Sequence, residues 1–326
     1  MAAEPDILIR EVGLRDGLQA VSEVVSTDNK VAWIESEAAC GVRSIEACSF
    51  VPPKYFPQFA DAAELVRRVR DLPETTVSAL VPNVRGAEMA LDAGVDVVGF
   101  VLSVSESHNR RNVRCSREES LGRFRDIAAL RASRPEWRSK RLLAGLSTAF
   151  GCTIEGRIDP SETVRLAERL FEAGADQVSV ADTVGYADPK SVSAVFRSIR
   201  RAVGDVPLAA HFHDTRGLGL VNVFAALETG VKEFDASLGG LGGCPYAPGA
   251  TGNIATEDLV FMIEAMGLRT GVHIERLLEV RDFVESLLPH EPLHGAIARA
   301  GLPIGFENPA ARRQEKTVHP GRIGVG

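Results

Sequence analysis

Residues 160–182 read PSETVRLAERLFEAGADQVSVAD, and this stretch decides the fold. In its first part, 160–173, apolar residues recur at helical spacing, with Ser161 as the predicted N-cap and Gly174 where the helix must end. Its second part, DQVSVAD from Asp176, is short, rich in valine and almost continuously apolar, which is typical of a strand covered on both faces. A helix that leads directly into such a strand indicates an α/β fold built from βα units.

The alternation of strand and helix recurs along the chain and gives eight strand candidates. Their first residues are Ile7, Arg43, Thr76, Val95, Leu142, Asp176, Pro207 and Glu233. Eight successive βα units predict a closed (β/α)8 barrel, the TIM barrel. An open, doubly wound sheet is the alternative, and the lack of a Gly-x-Gly-x-x-Gly motif in the first unit counts against it.

The repeat is lost from about Pro289 onward. We therefore expect the barrel domain to occupy residues 1–288 and a short C-terminal extension to occupy residues 289–326. The end of this extension is charged and rich in proline and glycine, so we expect it to be partly mobile. A chain of 326 residues accommodates both parts, because single barrels typically have about 250 residues.

The composition excludes several classes of partner. The formal charge of −7 argues against a nucleic acid or a membrane surface, since both favour a basic face. The five cysteines are scattered and form no Cys-x-x-Cys pair, which suits a reducing compartment. No apolar run approaches the roughly 18 residues of a membrane span, and the short segment before Ile7 leaves no room for a signal peptide. These features predict a cytoplasmic location.

Polar residues collect at the ends of the predicted strands, where barrel enzymes have their active sites. Burying such side chains is costly unless they have a partner or a task. One or two of them could be fillers of the barrel interior, but seven of the eight strand ends carry them. The residues at these ends are Arg15, Asp16, Asn83, Ser103, His108, Ser147, Thr148, Asp182, Thr183, His211, His213 and Cys244, and Glu46 lies inside the second strand segment.

The segment His211-Phe212-His213 is the strongest single signal. Residues i and i+2 of a strand point to the same face, so both imidazoles can reach one ion. An isolated pair could instead be satisfied by neighbouring carbonyl groups. Adding Asp16 and Asn253 gives two nitrogen and two oxygen ligands without a thiolate, a set that suits Mg²⁺ or Mn²⁺.

Three further features leave two interpretations each. The glycine-rich segment 238–252 is either a flexible connector or a mobile lid that brings Cys244 to the substrate. Arg15 is either the salt-bridge partner of Asp16 and Glu46 or a group that stabilises a substrate oxyanion. Asp182 either orients a ligand or transfers protons.

Five segments together resemble the motifs of one enzyme family. They are GLRDGLQ (13–19), SIEACSFVPPK (44–54), VADTVG (180–185), HFHDTRG (211–217) and GGLGGCPYAPGATGNIATED (239–258). The chain resembles 3-hydroxy-3-methylglutaryl-CoA lyase, which belongs to the barrel metallolyases named for an Asp-Arg-Glu signature and has a pyruvate carboxyltransferase-like domain. The similarity runs from about Ile7 to Leu288.

The resemblance implies a carbon–carbon lyase that cleaves a 3-hydroxy-3-methylglutaryl-CoA-like thioester to acetyl-CoA and a β-keto acid such as acetoacetate. It implies that Asp16, His211, His213 and Asn253 bind a divalent cation, Mg²⁺ or Mn²⁺. A metal-bound tertiary hydroxyl loses its proton more easily, which a retro-Claisen cleavage requires. The implied catalytic residues are Arg15, Asp16, Glu46, Asp182, His211 and Cys244. The residues that we expect to contact the substrate are Arg15, Gln19, Ser103, Thr183 and Arg216.

Several positions depart from the family pattern. Leu14 replaces a usual proline, and Arg216 lies where the family has Tyr after the His-x-His-Asp-Thr motif. Arg216 could bind a second carboxylate or a CoA phosphate, or it could form a salt bridge to Asp214 or Glu233. Together with His108, these changes leave open another substrate, such as citramalyl-CoA or a longer 3-hydroxyglutaryl-CoA.

Two other functions remain as alternatives. A condensing synthase of the same superfamily would run the bond formation in the opposite direction, but such relatives usually have substantial C-terminal domains. A non-enzymatic barrel would have no need of the complete set of ligands and proton-transfer residues. The expected partner is thus a small acyl-CoA molecule. A homodimer is a common assembly of such barrels, although no stretch of the sequence identifies an interface.

Overall fold

The structure, a computed structural model, describes residues 4–242 and 252–306. Eight parallel strands form a closed barrel in which the first strand pairs with both the second and the last. They are β1 (Leu8–Glu11), β2 (Ser44–Ser49), β3 (Thr76–Leu80), β4 (Val97–Ser103), β5 (Arg141–Ser147), β6 (Gln177–Asp182), β7 (Leu208–Phe212) and β8 (Glu233–Ala236). The predicted (β/α)8 barrel is confirmed, and each strand lies within one residue of the segment predicted for it.

Helices surround the barrel and alternate with its strands. They are α1 (Thr27–Ala39), α2 (Ala62–Val69), α3 (Val84–Ala93), α4 (Glu106–Val113), α5 (Arg117–Ser133), α6 (Pro160–Glu172), α7 (Pro189–Val203), α8 (Gly219–Leu227), α9 (Thr256–Ala265), α10 (Ile274–Leu287) and α11 (Ile297–Ala300). A short antiparallel hairpin, Gly151–Cys152 with Gly156–Arg157, follows β5. Within the described residues, no helix is long and apolar enough to cross a membrane.

The N-cap of helix α6 lies two residues earlier than the sequence predicts. Asp159, and not Ser161, is the N-cap, and its carboxylate accepts a hydrogen bond from the Ser161 backbone N–H at 2.9 Å. Pro160 occupies the first helical position, where its missing N–H is harmless and its fixed φ suits a helix, so the cap falls on the residue before it. At the other end Gly174 has φ +100°, as a helix-ending glycine requires.

The apolar core lies between the barrel and its helices. Ile45 of β2, Val98 of β4 and Phe124 of α5 belong to one continuous cluster of buried apolar side chains. The rings of Phe100 and Phe124 meet with their centroids 5.6 Å apart. Charged residues such as Arg10 and Glu46 are buried too, and they pair with other charged side chains of the barrel. The barrel interior is therefore the polar part of the protein core.

The segments after the strands bring polar groups to one end of the barrel. A single turn of π-helix, Gly13–Gly17, follows β1 and carries Arg15 and Asp16. Strand β7 ends with His211 and Phe212, and His213 follows directly. Part of the C-terminal extension also reaches this end, because the His294 N–H donates to the Gly239 carbonyl at 2.6 Å. Residues 307–326 of that extension, with its predicted mobile end, lie outside the described residues.

Candidate active site

Three side chains form the one group of potential metal ligands among the described residues, and they are Asp16, His211 and His213. One ligand atom from each lies within 4.8 Å of the other two. The histidines reach the same side because they are two positions apart on an extended chain. Asp16 comes to them from the turn after β1, which lies two strands away from β7 in the closed barrel.

The distances within this group leave room for a shared cation. The Nε2 atoms of the two histidines are 3.0 Å apart, and His213 Nε2 lies 3.6 Å from Asp16 Oδ2. All three ligand atoms therefore face one another and not the backbone. Backbone carbonyl groups, the alternative partners considered from the sequence, are therefore not the partners of these Nε2 atoms.

Asn253 joins this group through both its backbone and its side chain. Its backbone forms an isolated bridge with His213, and its Nδ2 donates to Asp16 Oδ2 at 2.8 Å and to the Leu241 carbonyl at 3.2 Å. The Asn253 Oδ1 is buried and has no partner among the described residues. An orphaned amide oxygen beside a carboxylate and two imidazole nitrogens completes a donor set that fits a divalent cation.

Arg15 is held between two carboxylates. Its Nε donates to Glu46 Oε2 at 2.5 Å and its Nη1 donates to Asp16 Oδ1 at 2.6 Å. The predicted ion pair of Arg15 with Glu46 is therefore confirmed. Burial opposes ionisation of Asp16, but the Arg15 guanidinium and the two histidines outweigh burial and hold the pKa of this carboxyl well below its usual range. The Asp16 side chain is thus a carboxylate anion, as a candidate metal ligand requires.

Asp235 and Arg10 belong to the site, and sequence analysis missed both. Asp235 Oδ2 lies 3.1 Å from His211 Nδ1, and Asp235 Oδ1 lies 2.6 Å from Arg10 Nη2. Burial opposes ionisation of Asp235, but Arg10 and His211 lower the pKa of its carboxyl below the usual value. The available signal was a charged residue in the middle of each of two apolar strand segments, ILIREV and EFDASL.

Asp182 caps the turn that follows β6. Its two carboxylate oxygens accept hydrogen bonds from the backbone N–H groups of Tyr186 (2.8 Å) and Ala187 (2.9 Å). Burial raises the pKa of the Asp182 carboxyl above its usual value despite these two bonds. The next residue, Thr183, accepts a hydrogen bond from the Thr148 N–H at 2.8 Å and joins this turn to the one after β5.

Two other predicted substrate contacts differ in exposure. Ser103 is fully buried, and its hydroxyl contacts His108 Nδ1 at 2.8 Å and accepts from the Ser147 hydroxyl at 2.9 Å. Gln19 is half-buried and follows the turn that carries Asp16. Ser103 thus supports Ser147 through a hydrogen bond, whereas part of the Gln19 side chain is accessible to solvent.

Arg216 makes neither of the salt bridges considered from the sequence. Its Nη1 donates to the carbonyls of Val184 (2.7 Å) and Gly185 (3.0 Å), and its guanidinium lies over the Tyr186 ring, 4.9 Å from the centroid. The Asp214 carboxylate instead accepts from the Gly219 N–H at 2.7 Å. The Glu233 carboxylate is occupied by Arg10 (3.4 Å) and by Gln177 (2.7 Å).

Cys244 and the rest of residues 243–251, the centre of the predicted lid, lie outside the described residues. The residues on either side of the undescribed segment do lie at the site. Gly242 has φ +102°, and a Cβ on it would be 3.0 Å from the Asp16 carbonyl and 3.1 Å from Asn253 Nδ2. The Gly252 carbonyl accepts from the Asp214 N–H at 3.1 Å. The segment that holds Cys244 therefore begins and ends beside the candidate metal ligands.

Comparison with known proteins agrees with this geometry. The HMGL-like family model matches residues 6–284. The chain belongs to the HMGL-like family. The hydroxymethylglutaryl-CoA lyase YngG of Bacillus subtilis is 40% identical over 279 residues, which cover 86% of this chain and 92% of that protein. The mitochondrial hydroxymethylglutaryl-CoA lyase of Macaca fascicularis is 41% identical over 278 residues, or 85% of this chain and 84% of that protein.

A solved structure of this HMGL-like family has the same architecture. It is an HMG-CoA lyase from Acinetobacter baumannii in complex with coenzyme A and 3-methylmalate, at 37% identity. It superposes with a TM-score of 0.86 and covers 94% of this chain and 99% of its own. The resemblance to 3-hydroxy-3-methylglutaryl-CoA lyases is thereby confirmed, as is the barrel.

Proposed function

We propose that this protein is a divalent-metal-dependent carbon–carbon lyase that cleaves 3-hydroxy-3-methylglutaryl-CoA to acetyl-CoA and acetoacetate. The observation that carries the proposal is the convergence of Asp16, His211, His213 and the orphaned Asn253 oxygen beside Arg15. The identity of about 40% to hydroxymethylglutaryl-CoA lyases over most of the chain supports the choice of substrate.

Asp16, His211, His213 and Asn253 would hold the cation, which we propose is Mg²⁺ or Mn²⁺. When bound, such an ion lowers the pKa of the substrate's tertiary hydroxyl and can chelate a neighbouring oxygen. Two imidazoles with two oxygen donors suit Mn²⁺ well, and the carboxylate suits Mg²⁺. The two-residue spacing of the histidines and the ion pair of Asp16 with Arg15 fix these donors in place before substrate arrives.

Arg15 is assigned to the leaving group. Its Nε and Nη1 bind Glu46 and Asp16, so its Nη2 group is the part assigned to the thioester oxygen. The tertiary hydroxyl releases its proton to solvent and becomes the ketone of acetoacetate as the C–C bond breaks. The bonding electrons move to the acetyl-CoA enolate, whose negative oxygen the guanidinium stabilises. Protonation of the enolate carbon then completes acetyl-CoA.

We assign the last proton to the Cys244 thiol, which solvent then reprotonates. His211 is unsuitable as the donor, because its Nε2 faces the candidate metal centre and its Nδ1 contacts Asp235. We assign Asp182 a different task. Both carboxylate oxygens of Asp182 accept backbone N–H groups, so it holds the turn beneath Arg216. We propose that Gln19 and Thr183 contact the substrate. Ser103 acts indirectly, through its hydrogen bond with Ser147. Arg216 keeps donors beyond its Nη1, and we propose that they bind an anionic group of the thioester.

The decisive experiment measures acetyl-CoA release from a panel of 3-hydroxyacyl-CoA thioesters with Mg²⁺ or Mn²⁺. We expect 3-hydroxy-3-methylglutaryl-CoA to be cleaved fastest and chelator-treated protein to be inactive until metal is restored. Preference for citramalyl-CoA or a longer 3-hydroxyglutaryl-CoA would replace the substrate but keep the mechanism. A protein without affinity for divalent ions would contradict the proposal and favour a non-enzymatic barrel.

We also propose a cytoplasmic location and a lyase domain that spans residues 1–288. The four cysteines among the described residues, Cys40, Cys48, Cys115 and Cys152, are all buried and unpaired. Unpaired buried thiols suit a reducing compartment. Helix α10 ends at Leu287, which supports the boundary after 288.

A further inference from the structure

Three side chains form a row across neighbouring strands at the level of the candidate metal centre. Arg10 of β1 is the register partner of Asp235 of β8, and Asp235 is the register partner of His211 of β7. Register partners on parallel strands point to the same face of a sheet, which places all three side chains inside the barrel. Each of the three side chains is buried.

The contacts along this row fix which atoms donate a hydrogen and which accept it. Arg10 Nη2 lies 2.6 Å from Asp235 Oδ1, and Asp235 Oδ2 lies 3.1 Å from His211 Nδ1. A guanidinium can only donate, and a carboxylate paired with it can only accept. The Nδ1 of His211 must therefore carry the hydrogen that points at Asp235. In a neutral imidazole this leaves the lone pair on Nε2.

The Nε2 of His211 is the atom that faces the candidate metal centre, 3.0 Å from His213 Nε2. We propose that Asp235, itself anchored by Arg10, is a positioning residue that fixes the tautomer and ring orientation of His211 for metal binding. This inference rests on the proposed function, because it assigns a task to residues behind the proposed ligands. Carboxylate–histidine pairs behind a metal have this effect in other proteins, and their loss typically weakens metal binding 10–100-fold.

The two candidate histidine ligands are not equivalent. His213 Nδ1 is buried without a partner among the described residues, whereas His211 Nδ1 has Asp235. In the described part of the chain, no carboxylate contacts His213 Nδ1 in the way that Asp235 contacts His211. Loss of Asp235 should therefore change the tautomer and orientation of the His211 ring before those of the His213 ring.

The chain offers a matched control in Glu233, which lies two residues before Asp235 on β8. Its Oε1 lies 3.4 Å from Arg10 Nη1, and its Oε2 accepts from Gln177 Nε2 at 2.7 Å. Glu233→Gln and Asp235→Asn each remove one carboxylate charge from Arg10. Asp235→Asn alone also changes the group that contacts His211, so the pair separates positioning from charge balance.

The first measurement is the Mn²⁺ affinity of the full-length protein by isothermal titration calorimetry. We expect Asp235→Asn to raise the Kd for Mn²⁺ about 10–100-fold, and Glu233→Gln to change it by less than about threefold. The double variant Arg10→Gln/Asp235→Asn removes both buried charges together and leaves no unpaired guanidinium. The double variant should show the same loss of Mn²⁺ affinity. It replaces Asp235→Asn in the measurement if that single variant does not fold.

The second measurement is the tautomer of His211 in metal-free protein, read from ¹⁵N NMR shifts of the imidazole nitrogens. We expect hydrogen on Nδ1 in the unmodified protein and in Glu233→Gln, and a mixture of tautomers once Asp235 is replaced. Unchanged Mn²⁺ affinity together with a retained Nδ1 tautomer in Asp235→Asn would overturn the inference. Failure of the unmodified protein to bind Mn²⁺ would contradict the proposed function, and the metal-free tautomer would still decide the role of Asp235.

Discussion

The Nε2 atoms of His211 and His213 lie 3.0 Å apart inside the barrel mouth, with Asp16 Oδ2 3.6 Å from the second of them. Two neutral imidazoles at this distance can share one hydrogen, or both can offer lone pairs to a cation. The Asp235 contact to His211 Nδ1 favours the lone pair on His211 Nε2. The arrangement therefore makes the His211 Nε2 lone pair available to a cation.

Replacing His213 by alanine should abolish metal binding and lyase activity together. The change removes one of four proposed donors, the imidazole whose Nε2 lies 3.6 Å from Asp16 Oδ2. We expect bound Mn²⁺ after dialysis and acetyl-CoA release to fall in parallel. His273→Ala is the control, since that side chain lies at the start of α10, and it should leave both readouts unchanged. Full metal content in His213→Ala would remove His213 from the ligand set.

Replacing Glu46 by glutamine should slow the chemical step more than it weakens metal binding. The variant removes a charged partner of the Arg15 Nε, so the guanidinium loses the contact that orients it. Loss of one preorganised electrostatic contact typically lowers kcat about 10²–10³-fold. Steady-state kinetics with 3-hydroxy-3-methylglutaryl-CoA measures this.

The control for Glu46 is Glu74→Gln, which breaks the exposed pair of Glu74 with Arg43. Exposed pairs contribute roughly 0–1 kcal/mol to stability, so this variant should keep its kcat. Equal kinetics in Glu46→Gln and Glu74→Gln would exclude Glu46 from positioning Arg15.

Replacing Cys244 by serine tests a residue outside the described part of the chain. A serine hydroxyl is a much weaker acid than a thiol, so transfer of the final proton should slow while metal binding stays intact. We expect a fall in kcat of about 10²–10⁴-fold, the usual range for general acid–base catalysis. Unchanged turnover would exclude Cys244 as the proton donor.

Replacing Glu37 by glutamine should stabilise the protein at neutral and higher pH. The Glu37 carboxyl is fully buried; its Oε1 accepts from Trp33 Nε1 at 2.6 Å, and its Oε2 has no partner among the described residues. Burial, reinforced by Glu11, raises the pKa of Glu37 well above its usual value. A raised pKa in the folded state means that the folded protein holds this proton more tightly than the unfolded chain does. The stability that Glu37 contributes is therefore complete below its usual pKa and is lost as the pH rises.

Urea unfolding at pH 5 and pH 8 measures this effect. The Glu37→Gln variant should match the unmodified protein near pH 5 and exceed its free energy of unfolding by about 1–3 kcal/mol at pH 8. The Glu11 carboxyl, whose pKa burial raises to about 7, repels a charged Glu37, so relief of this repulsion is part of the expected gain at pH 8. A difference that is the same at both pH values would contradict a neutral Glu37 in the folded state.

The sequence predicts the barrel well because the fold depends on local patterns. Apolar strand segments, helical periodicity and glycines such as Gly174 act within a few residues, so each βα unit can be recognised by itself. The cap of α6 was placed wrongly because Asp159 and Ser161 are both good caps, and only the position of Pro160 decides between them.

The sequence alone also determined that His211 and His213 share a face, because that follows from the two-residue period of a strand. Only the tertiary structure decided that Asn253 reaches Asp16, that Asp235 stands behind His211, and that Arg216 binds backbone carbonyls. These contacts join segments that are 24 to 237 residues apart. They depend on strand register and barrel closure, which no local pattern encodes.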